Sequence, residues 1–307
     1  MSLLIAGSIA LDSIQSPFGK VSRTLGGAIT YTSLAASYFV QKIMLVSIVG
    51  GDMDKKKLSV FRKQNIDLKG IMTIEEEKTF EWFGKYGYDL NSRETVYTKL
   101  NSMACFNPVL PTDYKNAKFL VLANFSPLIQ MNIIKQMAIR PALILLDTSK
   151  YWIKNAEKQL LETIKMTDVL CVKDEEARYL TGEYSLLKAA RAMAMFGPKY
   201  IIIRNGEHGV LLFHQNQIFY SPSLPLGDVL DPTGSGNSFT GGFTGYLSQS
   251  KNLSFDNMKK AVLFGSVMAS FCVEKFGTDK LLSLTNKDIS DRFEQFADLV
   301  QFNYEIN

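Results

Sequence analysis

The sequence is poor in metal ligands and redox groups: 307 residues carry three cysteines and two histidines. Cys105, Cys171 and Cys272 are far apart and odd in number, which argues against a disulfide framework and for reduced thiols in a cytosolic protein. Cys171 and Cys272 stand in apolar runs and read as small buried hydrophobes. With only His208 and His214 and no CxxC, a zinc site is not expected. Charge of either sign is not in excess, at 34 basic against 30 acidic residues and a net of +4. There is no basic block or arginine-rich arm, so a nucleic-acid partner is not expected. Membrane-length apolar runs are also missing. The uncharged stretch from Thr24 to Gln41 holds two glycines and several hydroxyls, and those near 209–227 and 232–250 are more polar still. Met1 to Gly7 has no basic n-region and reads as a strand rather than a signal peptide. Gly7-Ser8-Ile9-Ala10 is not a GxGxxG turn, and no GxxxxGK[ST] occurs, which argues against a dinucleotide-binding oxidoreductase and a P-loop NTPase.

What is present is an ordinary globular composition, 46% hydrophobic and 21% charged, long enough to bury a sizeable core. Leu3–Gly7 and Ile43–Val49 read as buried strands flanking a helix over Ala28–Phe39, and Asp54–Gln64 as an amphipathic helix. After Pro108, apolar runs at Phe119–Ala123, Ala142–Leu146, Val169–Val172 and Tyr200–Ile203 alternate with helical patterns at Leu128–Met137, Ile153–Ile164, Asp174–Leu180 and Leu186–Met195. That rhythm implies βαβ units and a parallel sheet covered on both faces. Val210–Phe213 and Gln217–Tyr220 read as a hairpin edge. Helices are expected at about Ser235–Ser248, Asn257–Phe276 and Asn286–Gln301. Residues 71–99 alternate polar and aromatic, as in Thr79-Phe80-Glu81-Trp82-Phe83, and imply short antiparallel strands open on one side. No linker or internal repeat divides the chain. The expectation is one three-layer α/β domain over 1–307, with a mostly parallel central sheet. A small β lid is expected from about 71–102, with a contribution from about 11–25.

The segment that carries chemistry is Asp231-Pro232-Thr233-Gly234-Ser235-Gly236-Asn237-Ser238-Phe239. It enters a helix that Thr233 or Ser235 is placed to cap. Gly234 and Gly236 permit positive φ and close approach to the backbone. The free N–H groups of the first turn and the helix dipole favour an anion there.

This segment resembles the C-terminal signature of the ribokinase-like (PfkB) carbohydrate kinases, D-T-x-G-A-G-D-x-F, through Asp231, Gly234, Gly236 and Phe239. Further stretches are similar in order and spacing over nearly the whole chain. Gly7 with Asp12 resembles the family's first strand and its sugar-contacting aspartate, Gly26-Gly27-Ala28 its diglycine, and Gly50-Gly51-Asp52 the next strand end. Asp147 with Trp152, Glu176 with Leu180 and Gly182, and Gly206 with Gly209 resemble its later motifs. The resemblance implies transfer of the ATP γ-phosphoryl group to a hydroxymethyl of a sugar or nucleoside, with Mg²⁺ and an optional K⁺. It places Asp12, Gly26, Gly27, Tyr31, Phe80 and Trp82 at the acceptor. Lys173, Arg204, Gly206, Gly209 and Thr233 fall at the nucleotide, Glu176 at the metal through water, and Gly234, Ser235 and Gly236 in an anion hole. A homodimer through the apolar-faced lid is a further expectation.

The chain departs from the family pattern at informative places. Asn237 stands at the position of the family's catalytic aspartate, and a carboxamide has essentially no basicity. The expectation is a kinase impaired as written, and the alternative is a catalytically silent ligand-binding or regulatory protein on the same scaffold. Tyr31 stands where many relatives have asparagine, Lys173 replaces the asparagine of N-x-x-E, and Arg204 stands where threonine is common. Arg93 reads as a solvated lid charge.

Overall fold

A computed structural model describes residues 1–301. In chain order the strands are β1 (Ser2–Ala6), β2 (Ala10–Ser16), β3 (Gly19–Gly26), β4 (Lys42–Gly50), β5 (Ile66–Ile74), β6 (Glu81–Tyr86), β7 (Arg93–Lys99), β8 (Phe119–Leu122), β9 (Leu143–Asp147), β10 (Val169–Lys173), β11 (Tyr200–Arg204), β12 (Val210–His214) and β13 (Gln217–Ser221). The helices are α1 (Ala28–Ala36), α2 (Lys55–Lys63), α3 (Pro127–Gln136), α4 (Lys150–Asn155), α5 (Glu157–Ile164), α6 (Asp174–Thr181), α7 (Leu186–Ala194), α8 (Ser235–Ser250), α9 (Phe255–Cys272) and α10 (Asn286–Val300).

Nine strands form the large sheet in the order β13-β12-β11-β10-β9-β8-β1-β4-β5. All pairs from β11 to β5 are parallel, and only the two pairings of β12, with β11 and β13, are antiparallel. The apolar strands explain this arrangement, because alternate residues of each strand enter opposite cores. Leu3, Ile5, Leu45, Val121, Leu145 and Ile202 pack with Ile29, Phe239, Phe243 and Val262 of α1, α8 and α9. Leu4, Met44, Leu120, Leu146, Leu170 and Ile203 pack on the other face with Ile133, Leu160, Ala177 and Met193 of α3, α5, α6 and α7. Among the described residues no helix is long and apolar enough to cross a membrane.

A second sheet of four strands, ordered β3-β2-β6-β7, stands apart. β2 pairs with β3 antiparallel and with β6 parallel, and β6 pairs with β7 antiparallel. Residues 71–74, expected in this sheet, instead belong to β5, which pairs parallel with β4 at the edge of the large sheet. An edge strand is solvated on one side, so its polar alternation imitates that of a small open sheet. The single helix expected over 153–164 is two, because Ala156 takes φ −147° and interrupts the ladder between α4 and α5.

Candidate active site

Asp12 lies mid-strand in β2, beside Trp82 of β6 in the parallel register, so both side chains face the same way. Asp12 is almost fully buried, and its Oδ2 accepts the Gly27 N–H at 3.2 Å. The carboxyl rests on Gly26, where a Cβ would overlap it. Gly27 has φ 90° and caps α1 at the point where the chain leaves the small sheet. Burial pushes the Asp12 carboxyl up to about 7; the Gly27 N–H opposes this and the nearby Asp231 adds to it.

Tyr31, in the first turns of α1, is buried, and its hydroxyl has no hydrogen-bond partner. Burial first, then the Asp12 and Asp231 carboxylates, raise that hydroxyl well above the ordinary tyrosine value, so it remains a donor. On the small sheet the Trp82 indole lies over Gly84, and the Arg93 guanidinium stacks on the indole with its carbon 5.3 Å from the ring centre. Arg93 is therefore exposed but fixed, not simply solvated. Phe80 is half-buried just before β6, and its carbonyl accepts the Leu11 N–H at 2.9 Å.

The loop before α8 is held by Asp231, whose two oxygens accept the Thr233 N–H at 2.9 Å and the Gly277 N–H at 3.0 Å. Gly234, not Thr233 or Ser235, is the N-cap of α8, with φ 85° and no side-chain cap. The Thr233 hydroxyl is bonded instead to the Tyr86 hydroxyl of the small sheet, at 2.9 Å. The Ser235 N–H donates to the Pro232 carbonyl at 3.2 Å, while the Gly236 and Asn237 N–H groups stay open, at the positive end of the helix. Asn237 is half-buried in that turn, and its carbonyl accepts the Thr32 hydroxyl at 3.1 Å.

The Tyr31 ring packs on the Gly234 α carbon where a Cβ would go. Gly234→Ala should therefore lower stability by roughly 2–4 kcal/mol, combining left-handed strain with overpacking. Gly182, at φ 70° with nothing within 4 Å of an added Cβ, is the control that carries only the strain. Denaturant midpoints of Gly234→Ala and Gly182→Ala check this, and equal losses would remove the packing contribution.

At the ends of the large sheet's strands, Lys173 closes β10 and Arg204 closes β11, paired in register. The Arg204 guanidinium lies 2.5 Å from where a Gly236 Cβ would stand. Its Nη2 donates to Asp147 Oδ1 at 2.9 Å, and its Nε is buried without a partner. Burial raises the Asp147 carboxyl against the pull of Arg204. Lys173 is crowded by protein, which lowers its ammonium from the ordinary value, and Arg93 and Arg204 add like charge. Its side chain nevertheless stays open to solvent, the combination expected of a group lining a cleft. Glu176 is buried in the first turn of α6, and its Oε2 accepts the Lys173 backbone N–H at 2.8 Å. Burial raises this carboxyl, and Asp147 adds to the effect.

Gly206 and Gly209, at φ 54° and 87°, turn the chain after β11, closed by the Asn205 N–H to the Gly209 carbonyl at 2.8 Å. The tip between β6 and β7 reaches this turn, with Asn91 Nδ2 donating to Glu207 Oε1 at 2.8 Å. The small sheet thus spans from Asp12 to the Gly206 turn, and the space between it and the ends of β10 and β11 is the candidate cleft. The Arg204–Asp147 pair, the Tyr86–Thr233 bond and the Asn91–Glu207 contact had no signal in the sequence, since each joins residues far apart in the chain.

Residues 8–284 match the model of the pfkB family carbohydrate kinases. The chain is 24% identical over 286 residues to a cytidine kinase of Thermococcus kodakarensis, covering 90% of this chain and 98% of that one. It is 26% identical over 297 residues to a ribokinase of Haemophilus influenzae, covering 90% and 93%. Its fold is similar to that of a putative ribokinase II from E. coli in complex with ATP and Mg²⁺, at TM-score 0.80 and 17% identity over 97% of this chain and 99% of that one. The chain belongs to the pfkB carbohydrate kinase family.

Proposed function

We propose that this chain transfers the γ-phosphoryl group of ATP to a hydroxymethyl of a sugar or nucleoside, slowly as it is written. The observation that carries the reading is one cleft with a buried carboxyl at one end and an uncapped helix N-terminus flanked by two cations at the other. Phosphoryl transfer needs mostly positioning and charge stabilisation, which such a cleft supplies. Asp12 and the backbone at Gly26 and Gly27 hold acceptor hydroxyls, Tyr31 limits the depth of the pocket, and Trp82 with Phe80 closes it. The N–H groups of Gly234 and Gly236 receive the migrating phosphoryl group, and Ser235, whose N–H closes the turn on the Pro232 carbonyl, stands between them. Arg204 and Lys173 neutralise the nucleotide phosphates, Thr233 borders them, and the Gly206–Gly209 turn admits the nucleotide to the backbone.

The donor set suits Mg²⁺. Glu176 keeps one carboxylate oxygen free beside the cleft, enough for an ion that retains waters and takes other ligands from phosphate. When bound, Mg²⁺ supplies charge neutralisation on the phosphates. K⁺ is assigned no residue; titrating nucleotide in K⁺ against Na⁺ decides whether it is used. Val96, in the bulge of β7, and Leu100, just past its end, are exposed apolar residues of the small sheet, and this is the surface proposed for pairing with a second copy. Sedimentation of Val96→Lys tests it. Three free cysteines fit a reducing, cytoplasmic setting.

Asn237 favours a second reading, in which the protein binds nucleotide and acceptor without turnover. Thermal shift against a panel of sugars and nucleosides, with and without ATP and Mg²⁺, tests the common ground of both. The melting point should rise with ATP and rise further with one acceptor class, as selective binding to the folded state requires. No shift with any nucleotide would sink both readings, and turnover in the same panel separates them.

A further inference from the structure

The cleft carries more fixed positive charge on its nucleotide side than one metal-organising carboxylate calls for. Lys173 and Arg204 are register partners at the ends of neighbouring parallel strands, so their side chains leave the sheet together. Lys173 has no carboxylate within ion-pair distance among the described residues, although Glu176 lies one helical turn away. Glu176 is directed elsewhere: one of its oxygens takes the Lys173 backbone N–H and so caps α6. Arg204 spends one nitrogen on Asp147, rests against the Gly236 α carbon and leaves its buried Nε without an acceptor. A third cation, Arg93, hangs from the roof, stacked on Trp82. Arg204, Lys173 and Arg93 therefore face Asp147 and Glu176 at the positive ends of α6 and α8, and the nearby Glu175 is already paired with Lys150 at 3.4 Å. Such a site is incomplete until a polyanion enters it, because buried and cleft-held cations need acceptors.

We propose that Lys173, with Arg204, is a built-in counterion for the nucleotide phosphates, so that nucleotide binding depends little on Mg²⁺. This inference rests on the phosphotransfer reading of the same cleft. An ammonium beside the phosphates and a divalent ion there perform overlapping neutralisation, and their mutual repulsion makes the second contribution smaller than the first. The substitution Lys173→Asn keeps a shorter polar group and removes the charge. The lysine side chain is exposed, so the fold tolerates the change.

The test is calorimetric titration of ADP and ATP into the full chain, wild type and Lys173→Asn, each with Mg²⁺ or with EDTA. Wild type should bind in EDTA within about threefold of its affinity in Mg²⁺. Lys173→Asn should lose about tenfold or more in EDTA and less than about threefold in Mg²⁺. A wild type that loses tenfold or more when Mg²⁺ is chelated overturns the proposal. So does a Lys173→Asn loss that is equal in both conditions, which would make the lysine an ordinary contact. Absence of nucleotide binding in every condition overturns the phosphotransfer reading itself, and the counterion role with it. A melting temperature of Lys173→Asn within a few degrees of wild type confirms that the titrations compare folded proteins.

Discussion

Asn237→Asp is expected to raise turnover by ~10²–10⁴-fold with whichever acceptor the binding screen selects, the usual worth of general base catalysis. Asn237 sits in the first turn of α8, half-buried, and the Thr32 hydroxyl fixes its carbonyl at 3.1 Å. The backbone is thereby held by contacts the substitution does not touch, and aspartate is nearly isosteric. A carboxylate at a helix N-terminus is favoured by about 0.3–1 kcal/mol, so stability should not fall. The carboxamide can position an attacking hydroxyl but cannot take its proton. The gain should therefore appear in kcat, with KM for the acceptor changing by less than about threefold. Steady-state assays of both proteins across pH 6 to 9 check this. A rate that barely moves would place the base elsewhere or show that none is needed. Binding without turnover in both proteins would favour the silent reading.

The second large effect belongs to Asp12. Its carboxyl titrates at about 7 in the folded chain, chiefly because of burial, against about 4 in the unfolded chain. The sign follows from proton linkage. Below about pH 4 both states hold the proton and Asp12 contributes no pH dependence. Between about 4 and 7 the unfolded chain has lost the proton while the folded chain retains it, so stability falls as pH rises. Above about 7 the folded chain carries the full cost of a buried charge. Three units correspond to about 4 kcal/mol at most. Asp12→Asn, a neutral isostere, should thus be more stable than wild type at pH 8 by roughly 2–4 kcal/mol, and the difference should shrink as pH falls and vanish below about pH 4. Thermal melts at pH 4 and 8 check it. A variant less stable at pH 8 would mean that the carboxylate is held by more than the Gly27 N–H.

The same substitution should weaken acceptor binding by about tenfold or more, since hydrogen bonds to a charged group are worth about 1.5–3 kcal/mol each. In wild type, acceptor affinity should climb by up to about tenfold from pH 6 to 8 as the carboxylate forms, and in Asp12→Asn it should stay flat. The residue thus pairs lower stability of the free protein with stronger binding, a trade common where a buried charge awaits its ligand.

Much of this molecule is written locally. The apolar runs of β1, β8, β9, β10 and β11 are buried on both faces, so each segment declares its state without reference to others. The glycines at 26, 27, 206, 209 and 234 mark points where the backbone turns or is approached closely, and the order of these short motifs pointed to the family. The edge strand β5 misled because its alternation reports half-burial, not which sheet it joins. Thr233 and Ser235 misled as helix caps because the Thr233 hydroxyl has a better partner in Tyr86, 147 residues away. Tertiary structure alone decided that Arg204 is paired with Asp147 and pressed against Gly236, that Arg93 is stacked rather than solvated, and that Asp12 is buried deeply enough to hold its proton near neutrality. Composition and periodicity fix what each segment prefers over a few residues. The charge state and the partner of a side chain depend on the dielectric and the groups around it, which only the packing of distant segments creates.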